Sequence, residues 1–252
     1  MSEIDFDKFK NLTFEDFRRM AKDPTLSKYE KSGFPDAYRK GKEESIFKDI
    51  VRKVGNLGKD GQLVIEIGPG CSDLPHMLID LCREKGHRLF FVDSEDILEN
   101  LPDEPYITKI PGYYPRDCDW LFDKYLGKFN VVLAYSVLQH VFVESNPFDF
   151  VDRSLSLLAH DGAMLIGDIP NMSKRKRFFS SPNGIRFHQE FTDTNEVPQV
   201  DFNKLDVNKI DDGVLMGIIA RCRDSGFDAF WLPQPESLPM ANRREDLLIT
   251  RP

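Results

Sequence analysis

The stretch QLVIEIGPGCSD, residues 62–73, decides the fold. Its apolar run LVIEI is typical of a buried parallel strand, because such strands are covered on both faces. Gly68 and Gly70 let the chain turn tightly and let a ligand approach the backbone. Residues 73–85 carry an apolar stripe at helical spacing, with Gly86 after it as a stop. The stretch therefore predicts a strand, a ligand-binding turn and a helix whose first amides can hold an anionic group.

The same alternation continues toward the carboxyl terminus. Further strands are predicted at RLFFVD (88–93), FNVVLAYS (129–136), AMLIGD (163–168), GFDAFWL (226–232) and DLLIT (246–250), and helices at 147–160 and 214–225. Strands that alternate with helices indicate an α/β domain with a mostly parallel sheet covered on both faces.

The flanking segments differ from this region in composition and periodicity. Residues 1–60 are charged, and helices are predicted at 5–20 and 43–54, joined by SKYEKSGFPDAYRKGKE at 27–43. We interpret 1–60 as a helical lid. Residues 171–213 are long, polar and without a regular period, so we interpret them as a functional insertion that binds the acceptor, within a domain spanning 61–252.

Asp93 ends the second predicted strand, 23 residues after Gly70. A carboxylate in that place suits the hydroxyl groups of a ribose, which occurs in dinucleotides and in S-adenosylmethionine. Asp73 stands where a dinucleotide-binding loop has its third glycine, and its charge would repel a pyrophosphate. The pattern therefore favours S-adenosylmethionine over NAD; a glycine-rich turn without a ligand is the remaining alternative. A side chain at Gly68 is expected to occupy the space of the cofactor.

VIEIGPGCSD, the VD at 92–93, FNVVLAYSVLQHV (129–141) and LLAHDGAMLIGDIPN (157–171) together resemble the class I S-adenosylmethionine-dependent methyltransferases. The resemblance implies a Rossmann-like, seven-stranded, mostly parallel sheet whose last strand is antiparallel. Ser72 replaces the last glycine of the family's loop, and Asn130 replaces an aspartate that the family often has. More loosely, the chain is similar to methyltransferases of bacterial surface-polysaccharide loci, which implies a sugar or a sugar nucleotide as the acceptor.

The resemblance also implies which residues bind the cofactor. They are Glu66, Gly68, Pro69, Gly70, Asp93, Ser94, Tyr135 and Ser136. The loop would line the methionine part, Asp93 would bind the ribose, and Ser94 would lie toward the adenine.

Transfer to a hydroxyl group needs a base, and a histidine suits that work near neutral pH. His140 follows the fourth predicted strand and Asp168 ends the next one, so both are expected at the carboxyl edge of the sheet. Asp168 would then orient the imidazole, as the resemblance to a sugar O-methyltransferase implies. His188, within the insertion, is the rival base.

The run SKRKRFF, 173–179, places four consecutive cations in an otherwise acidic chain. It is either a solvated face or an anion site, and we expect Lys174, Arg175, Arg177 and Arg186 to contact a phosphate-bearing acceptor. Tyr38 and Arg39 of the lid are expected to close over the cofactor or the acceptor and to contact the acceptor; a role in packing alone is the alternative.

Composition limits the other classes of function. The 252 residues contain 34 Lys and Arg against 42 Asp and Glu, a net charge of −8, which argues against nucleic acid as a partner. No apolar run reaches the roughly 20 residues that span a bilayer. The scattered cysteines and polar amino terminus predict a cytoplasmic protein without a metal site. The predicted activity is O-methylation of a small polar acceptor; N-methylation and an inactive cofactor-binding module are the alternatives.

Overall fold

A computed structural model describes residues 7–9 and 12–252. Its centre is one seven-stranded sheet in the order β3-β2-β1-β4-β5-β7-β6. The strands are β1 (Leu63–Ile67), β2 (Arg88–Asp93), β3 (Ile107–Pro111), β4 (Phe129–Tyr135), β5 (Leu158–Pro170), β6 (Asp228–Pro233) and β7 (Arg244–Thr250).

The strand directions agree with the expectation. β1 pairs in parallel with β2 and β4, β2 with β3, and β4 with β5. β7 lies antiparallel between β5 and β6. The order reverses beside β1, where one crossover connection leads toward β2 and another toward β4, and a crevice opens at such a switch point.

Twelve α-helices are described around the sheet. They are α1 (Phe14–Lys22), α2 (Lys28–Lys31), α3 (Asp36–Arg39), α4 (Glu43–Lys53), α5 (Leu74–Lys85), α6 (Glu95–Leu98), α7 (Asp119–Tyr125), α8 (Leu138–Glu144), α9 (Pro147–Leu157), α10 (Met172–Phe179), α11 (Pro182–Thr192) and α12 (Asp212–Asp224). Apolar clusters on both faces of the sheet form the core, with Phe90, Phe129 and Phe150 in one and Phe91 in the other. No helix of the described chain is long and apolar enough to cross a membrane.

The amino-terminal helix differs from its prediction over 5–20. Residues 1–6, 10 and 11 lie outside the described part, and α1 begins only at Phe14. Thr13 caps it, accepting a hydrogen bond from the Asp16 amide while the Asp16 carboxylate accepts from the Thr13 amide. A capping box of this kind fixes the helix start.

Two other features differ from the sequence interpretation. β3 was not found from the residues alone, because ITKIP is short, half-buried and ends in proline. The aperiodic segment 171–213 contains two regular helices, α10 and α11. Asn171 and Ser181 cap them through side-chain oxygens, and Pro182 stands in the first turn of α11.

Candidate functional site

A cavity opens at the carboxyl ends of β1, β2 and β4, at the reversal of strand order. Strand ends contribute Gly68, Asp93 and Ser136, and the amino-terminal helices contribute Phe14 and Arg39. About 980 Å³ is free of protein atoms, the open mouth included. Strand edge and helices together therefore enclose the place where open α/β folds bind ligands. We call this space the first cavity.

The glycine loop is shaped by its own packing as well as by the cavity. Gly68 and Gly70 have φ angles of +70° and +67°, which side chains rarely adopt. A Cβ atom on Gly68 would lie 2.6 Å from Cγ2 of Val137. A side chain at Gly68 would thus collide with Val137, which lines the same cavity, and the expectation that it also takes the cofactor's space stays a prediction. A Gly68 variant perturbs the fold together with the cavity.

Two buried carboxyl groups lie beside the loop. Asp93 lines the cavity, and its carboxylate accepts a hydrogen bond from the Ser94 amide at 2.7 Å. Burial raises its pKa to about 7. Glu66 lies outside the cavity lining, and its Oε2 has no hydrogen-bond partner within the described residues. Burial, and secondarily the charge of Asp93, raises the Glu66 pKa to about 8. The pair therefore favours a ligand that brings hydroxyl donors or positive charge.

The raised pKa of Glu66 predicts a pH-dependent stability. In the ligand-free protein, folded Glu66 keeps a proton that the unfolded chain has already lost, so the free energy of unfolding should fall as the pH rises from about 4.5 to about 8 and level off above that. Glu66→Gln should flatten this slope and make the variant the more stable protein at the upper end. Urea titrations across the range measure it. The exposed Glu95→Gln is the control; equal slopes in wild type and Glu66→Gln would contradict the prediction.

Arg39 is held at the cavity wall by a buried ion pair. Its Nη2 donates to Asp168 Oδ2 and to Ser136 Oγ, both at 2.7 Å, and the Ser136 hydroxyl donates to the same carboxylate oxygen at 2.5 Å. The guanidinium also lies 4.1 Å from the centre of the Phe34 ring. Asp168 itself does not line the cavity. The predicted pairing of Asp168 with His140 is therefore wrong, because a buried carboxylate is better compensated by a guanidinium than by a neutral imidazole.

Glu43 is a site residue that the sequence analysis missed. It is buried in the cavity wall, and its Oε2 accepts from the Asp73 amide at 2.5 Å. Glu43 Oε1 and Arg39 Nε have no hydrogen-bond partners within the described residues. One buried carboxylate oxygen of Glu43 and the buried Nε–H of Arg39, whose charge is already paired with Asp168, therefore lack protein partners in the same wall. This arrangement fits a ligand that carries both an ammonium and a carboxylate group, as the amino-acid end of S-adenosylmethionine does.

Glu43, and not Asp73, is the carboxylate that lies at the start of α5 in the cavity wall. Asp73 lies outside the cavity lining, and both its carboxylate oxygens are 2.6 Å from Lys28 Nζ. The predicted repulsion by Asp73 is therefore wrong, since Lys28 compensates that charge. Glu43 instead occupies the amide at the start of α5, which is where a pyrophosphate would bind.

His140 lies in α8 at the edge of the first cavity. Its Nδ1 is 3.2 Å from the Leu12 carbonyl oxygen, and its ring meets Phe17 edge-on at 4.9 Å. A carbonyl only accepts, so Nδ1 carries the proton and Nε2 is left as an acceptor. Burial lowers the pKa of His140 to about 4, and the charge of Arg244 adds to this effect. The imidazole is therefore neutral near pH 7.

A second cavity adjoins the first, between α8, α10 and the start of β7. Its lining includes Asn171, Arg175, Lys209, Arg243 and Arg244. The two cavities share four lining residues, namely Ser32, Phe34, His140 and Glu144. The imidazole of His140 therefore stands where the two spaces meet.

Of the remaining residues predicted to bind the cofactor, four line the first cavity and one does not. Pro69, Gly70, Tyr135 and Ser136 line the first cavity. Ser94 does not, because its hydroxyl oxygen caps α6 by accepting from the Ile97 amide at 3.4 Å.

Most of the cations predicted to contact the acceptor are instead bonded to other groups of the protein. Lys174 pairs with Glu245 at 3.1 Å, and Arg177 pairs with Asp212 at 2.5 Å. Exposed Arg186 donates to Asn183. Lys174, Arg177 and Arg186 line neither the first nor the second cavity, whereas Arg175 lines the second.

The rival base and the lid tyrosine also lie away from the first cavity. His188 packs edge-on against Phe179 at 6.2 Å and lines a separate surface cavity. Tyr38 stacks on Phe191 at 6.4 Å. The structure thus separates His188 from the strand ends that His140 adjoins. Within the described part of the chain, no group of three or more His, Cys, Asp and Glu side chains is placed to hold a metal ion.

A sequence signal existed for Glu43 but not for the other missed residues. Glu43, Ile46 and Ile50 follow a spacing of three and seven, so the carboxylate lies on the buried face of α4. A carboxylate on such a face needs a partner or a ligand. Arg243 and Arg244 reach the second cavity only through the pairing of β5 with β7, which no local pattern reveals.

No protein-family model and no curated protein matches the sequence. Solved structures do resemble it. The N-methyltransferase NodS from Bradyrhizobium japonicum WM9, in complex with S-adenosyl-L-homocysteine, has a TM-score of 0.55 at 9% identity, covering 95% of this chain and 98% of NodS. The CurJ carbon methyltransferase has a TM-score of 0.54 at 14% identity, covering 83% of this chain and 54% of CurJ.

An O-methyltransferase family protein from Burkholderia thailandensis has a TM-score of 0.51 at 14% identity, covering 83% of this chain and 56% of its own. This chain thus spans little more than half the length of CurJ and of the Burkholderia protein. Together with the strand order, the likeness shows the Rossmann-like fold of class I methyltransferases. The three neighbours are named for transfer to nitrogen, carbon and oxygen, so the fold does not select the acceptor atom.

Proposed function

We propose that this protein is an S-adenosylmethionine-dependent methyltransferase that methylates a hydroxyl group of a small, sugar-derived acceptor. The observation that carries the proposal is the position of His140. Its unprotonated Nε2 belongs to a side chain that lines both cavities. The first cavity has charged groups and polar atoms without protein partners that suit the cofactor. The second cavity has room for an acceptor.

Each part of the cofactor has suitable residues in the first cavity. The loop of Gly68, Pro69 and Gly70 would accommodate the methionine chain, with Arg39 toward its carboxylate and Glu43 toward its ammonium group. Asp93 would accept hydrogen bonds from the ribose. The adenine ring would lie among the apolar residues of the lining, which include Val92, Ile97, Tyr114 and Val141. When bound, the cofactor supplies an electrophilic methyl group on a positively charged sulfur.

His140 would take the proton of the acceptor hydroxyl as its oxygen becomes nucleophilic. The Leu12 carbonyl fixes the imidazole in the tautomer that accepts at Nε2. A pKa of about 4 makes this imidazole a weak base that is nevertheless always in its accepting form near neutral pH. Glu144 lies one helical turn further along α8 and lines both cavities, where its charge would favour the protonated ring.

The amino-terminal segment 1–60 would act as a lid. Arg18 and Lys22 of α1 both contact Asp96, at 2.7 and 2.5 Å, and the Phe14 amide donates to Glu144. These contacts hold α1 across the first cavity. The insertion 171–213 would form one side of the acceptor site, in an enzyme that works in the cytoplasm.

N-methylation is the second candidate, and one observation favours it. A neutral amine is a nucleophile without loss of a proton, so it does not depend on a strong base. The low pKa of His140 suits such an acceptor as well. An inactive cofactor-binding module is less favoured, because His140 adjoins both cavities.

The proposal is tested by binding and by transfer. Calorimetry should detect S-adenosylhomocysteine binding with a dissociation constant on the order of micromolar, and no binding of NAD, because Glu43 occupies the phosphate-binding amide. Incubation with methyl-labelled S-adenosylmethionine and a panel of sugars, sugar phosphates and amino sugars should then label one acceptor class. Binding of NAD with failure to bind S-adenosylhomocysteine would overturn the proposal.

A further inference from the structure

The second cavity carries an excess of positive charge in an acidic protein. Its lining includes the cations Arg175, Lys209, Arg243 and Arg244 but only one carboxylate, that of Glu144. The chain as a whole has a net charge of −8. Because Arg244 Nη1 lies 3.5 Å from Asp168 Oδ2, a local excess of two positive charges remains, and this excess attracts anions to this cavity in particular.

The cations next to Arg175 in sequence are each paired with a carboxylate, whereas Arg175 is not. Lys174 pairs with Glu245 at 3.1 Å, Lys176 with Asp206 at 2.5 Å and Arg177 with Asp212 at 2.5 Å. Arg175 has no acidic partner in the part of the chain that the structure describes. In the basic run of α10, therefore, the one cation that faces the second cavity is also the one left uncompensated.

Arg243 is a second lining cation of the second cavity that has no acidic partner among the described residues. Its guanidinium lies 6.0 Å from the Tyr38 ring centre and 5.9 Å from that of Phe179, and Nη1 donates to the Asn242 side chain at 2.9 Å. Burial lowers its pKa, and no described carboxylate is paired with it. A desolvated cation without a counter-ion gains strongly from an anionic ligand.

The two arginines converge on one aromatic ring. Arg175 lies 5.1 Å from the centre of the Phe179 ring, and Arg243 lies 5.9 Å from the same centre. Stacking on a ring holds a guanidinium in place while its N–H groups remain available. Two guanidiniums arranged in this way suit a tetrahedral oxyanion with several acceptor oxygens.

We propose that the second cavity binds a phosphate group of the methyl acceptor, held by Arg175 and Arg243 with Lys209 at the rim. The term acceptor rests on the proposed function; the anion site does not. A phosphate ester carries about two negative charges near pH 7, which matches the uncompensated cations better than a single carboxylate. Anchoring at this end would orient the rest of the acceptor toward His140, where the cavities meet.

The test measures binding of inorganic phosphate to the whole protein by NMR titration at constant ionic strength. Wild type should bind phosphate in the millimolar range, and Arg175→Gln with Arg243→Met should weaken binding about 100-fold or more, since each of the two lost charge-assisted contacts accounts for about tenfold. Lys176→Gln is the matched control: it removes one charge from the same helix, outside the cavity, and should bind as wild type does. An unchanged midpoint of thermal unfolding shows that each variant is folded, whether or not S-adenosylhomocysteine binds.

Three results of the binding experiment would overturn the anion site. They are no phosphate binding by wild type, equal binding by the double variant and Lys176→Gln, and acetate that competes as well as phosphate at equal ionic strength. Failure of the proposed function looks different: phosphate binds as described, but S-adenosylhomocysteine does not. Methyl transfer to neutral sugars without inhibition by phosphate would refute the site and leave the function standing.

Discussion

His140→Ala should lower kcat by about 10²–10⁴, the range for loss of a general base, while S-adenosylhomocysteine binds with nearly unchanged affinity. The reason is the position of the ring between the two cavities, with Nδ1 fixed by the Leu12 carbonyl. Removing the imidazole leaves the acceptor oriented but without an atom to take its proton. Single-turnover rates at saturating cofactor would measure the effect on transfer itself.

The pH profile adds a second readout to this prediction. Because the pKa of His140 is lowered to about 4, the wild-type rate should not rise through the usual histidine range and should be flat between about pH 6 and about pH 8. This differs from the profile of an exposed histidine base, whose rate rises through about pH 6.5 and levels off about one pH unit higher.

The rival histidine serves as the control. His188→Ala should retain wild-type activity, since the ring packs on Phe179 and lines a different cavity. Loss of activity in His188→Ala together with full activity in His140→Ala would assign the base to the insertion instead. If neither variant is impaired, the acceptor is a nucleophile that needs no base, and N-methylation replaces O-methylation.

The sheet and the glycine loop could be predicted because their signals are local. The apolar run of β1, the two glycines and the acid at the end of β2 lie within 31 residues, from Leu63 to Asp93. Strand pairing then brings Asp93 to the loop without further information, since parallel strands end at one edge of the sheet.

The sequence could not predict which charged side chains form ion pairs and which face a cavity, because this depends on partners that are distant in sequence. Lys174 and Arg175 are neighbours, yet Lys174 reaches Glu245, 71 residues away, while Arg175 faces the second cavity. Asp168 is another example, since its partner Arg39 comes from the lid, 129 residues earlier. A run of cations, or an acid at a strand end, thus shows which charged groups are present. It does not show whether another side chain of the same protein already neutralises their charge.

Asp93→Ala should weaken the binding of S-adenosylhomocysteine about 100-fold. Two ribose hydroxyls bonded to one carboxylate make charge-assisted hydrogen bonds of about 1.5–3 kcal/mol each, and about 2.7 kcal/mol corresponds to this loss. The carboxylate is held in the cavity wall by the Ser94 amide, so little reorganisation is needed before it binds. Calorimetry on the wild type and the variant measures the difference directly.

The pKa of Asp93 makes this prediction distinguishable from simple damage to the fold. Since burial raises that pKa to about 7, the wild-type affinity should decrease as the pH falls below 7, because the ligand prefers the ionised carboxylate. Asp93→Asn has the same shape without the charge, so it should bind weakly at every pH and lose this part of the pH dependence. The exposed Glu95→Ala, two residues further on, should bind as wild type does. Normal affinity in Asp93→Asn would mean that another group holds the ribose and that the acid at the end of β2 only supports the glycine loop.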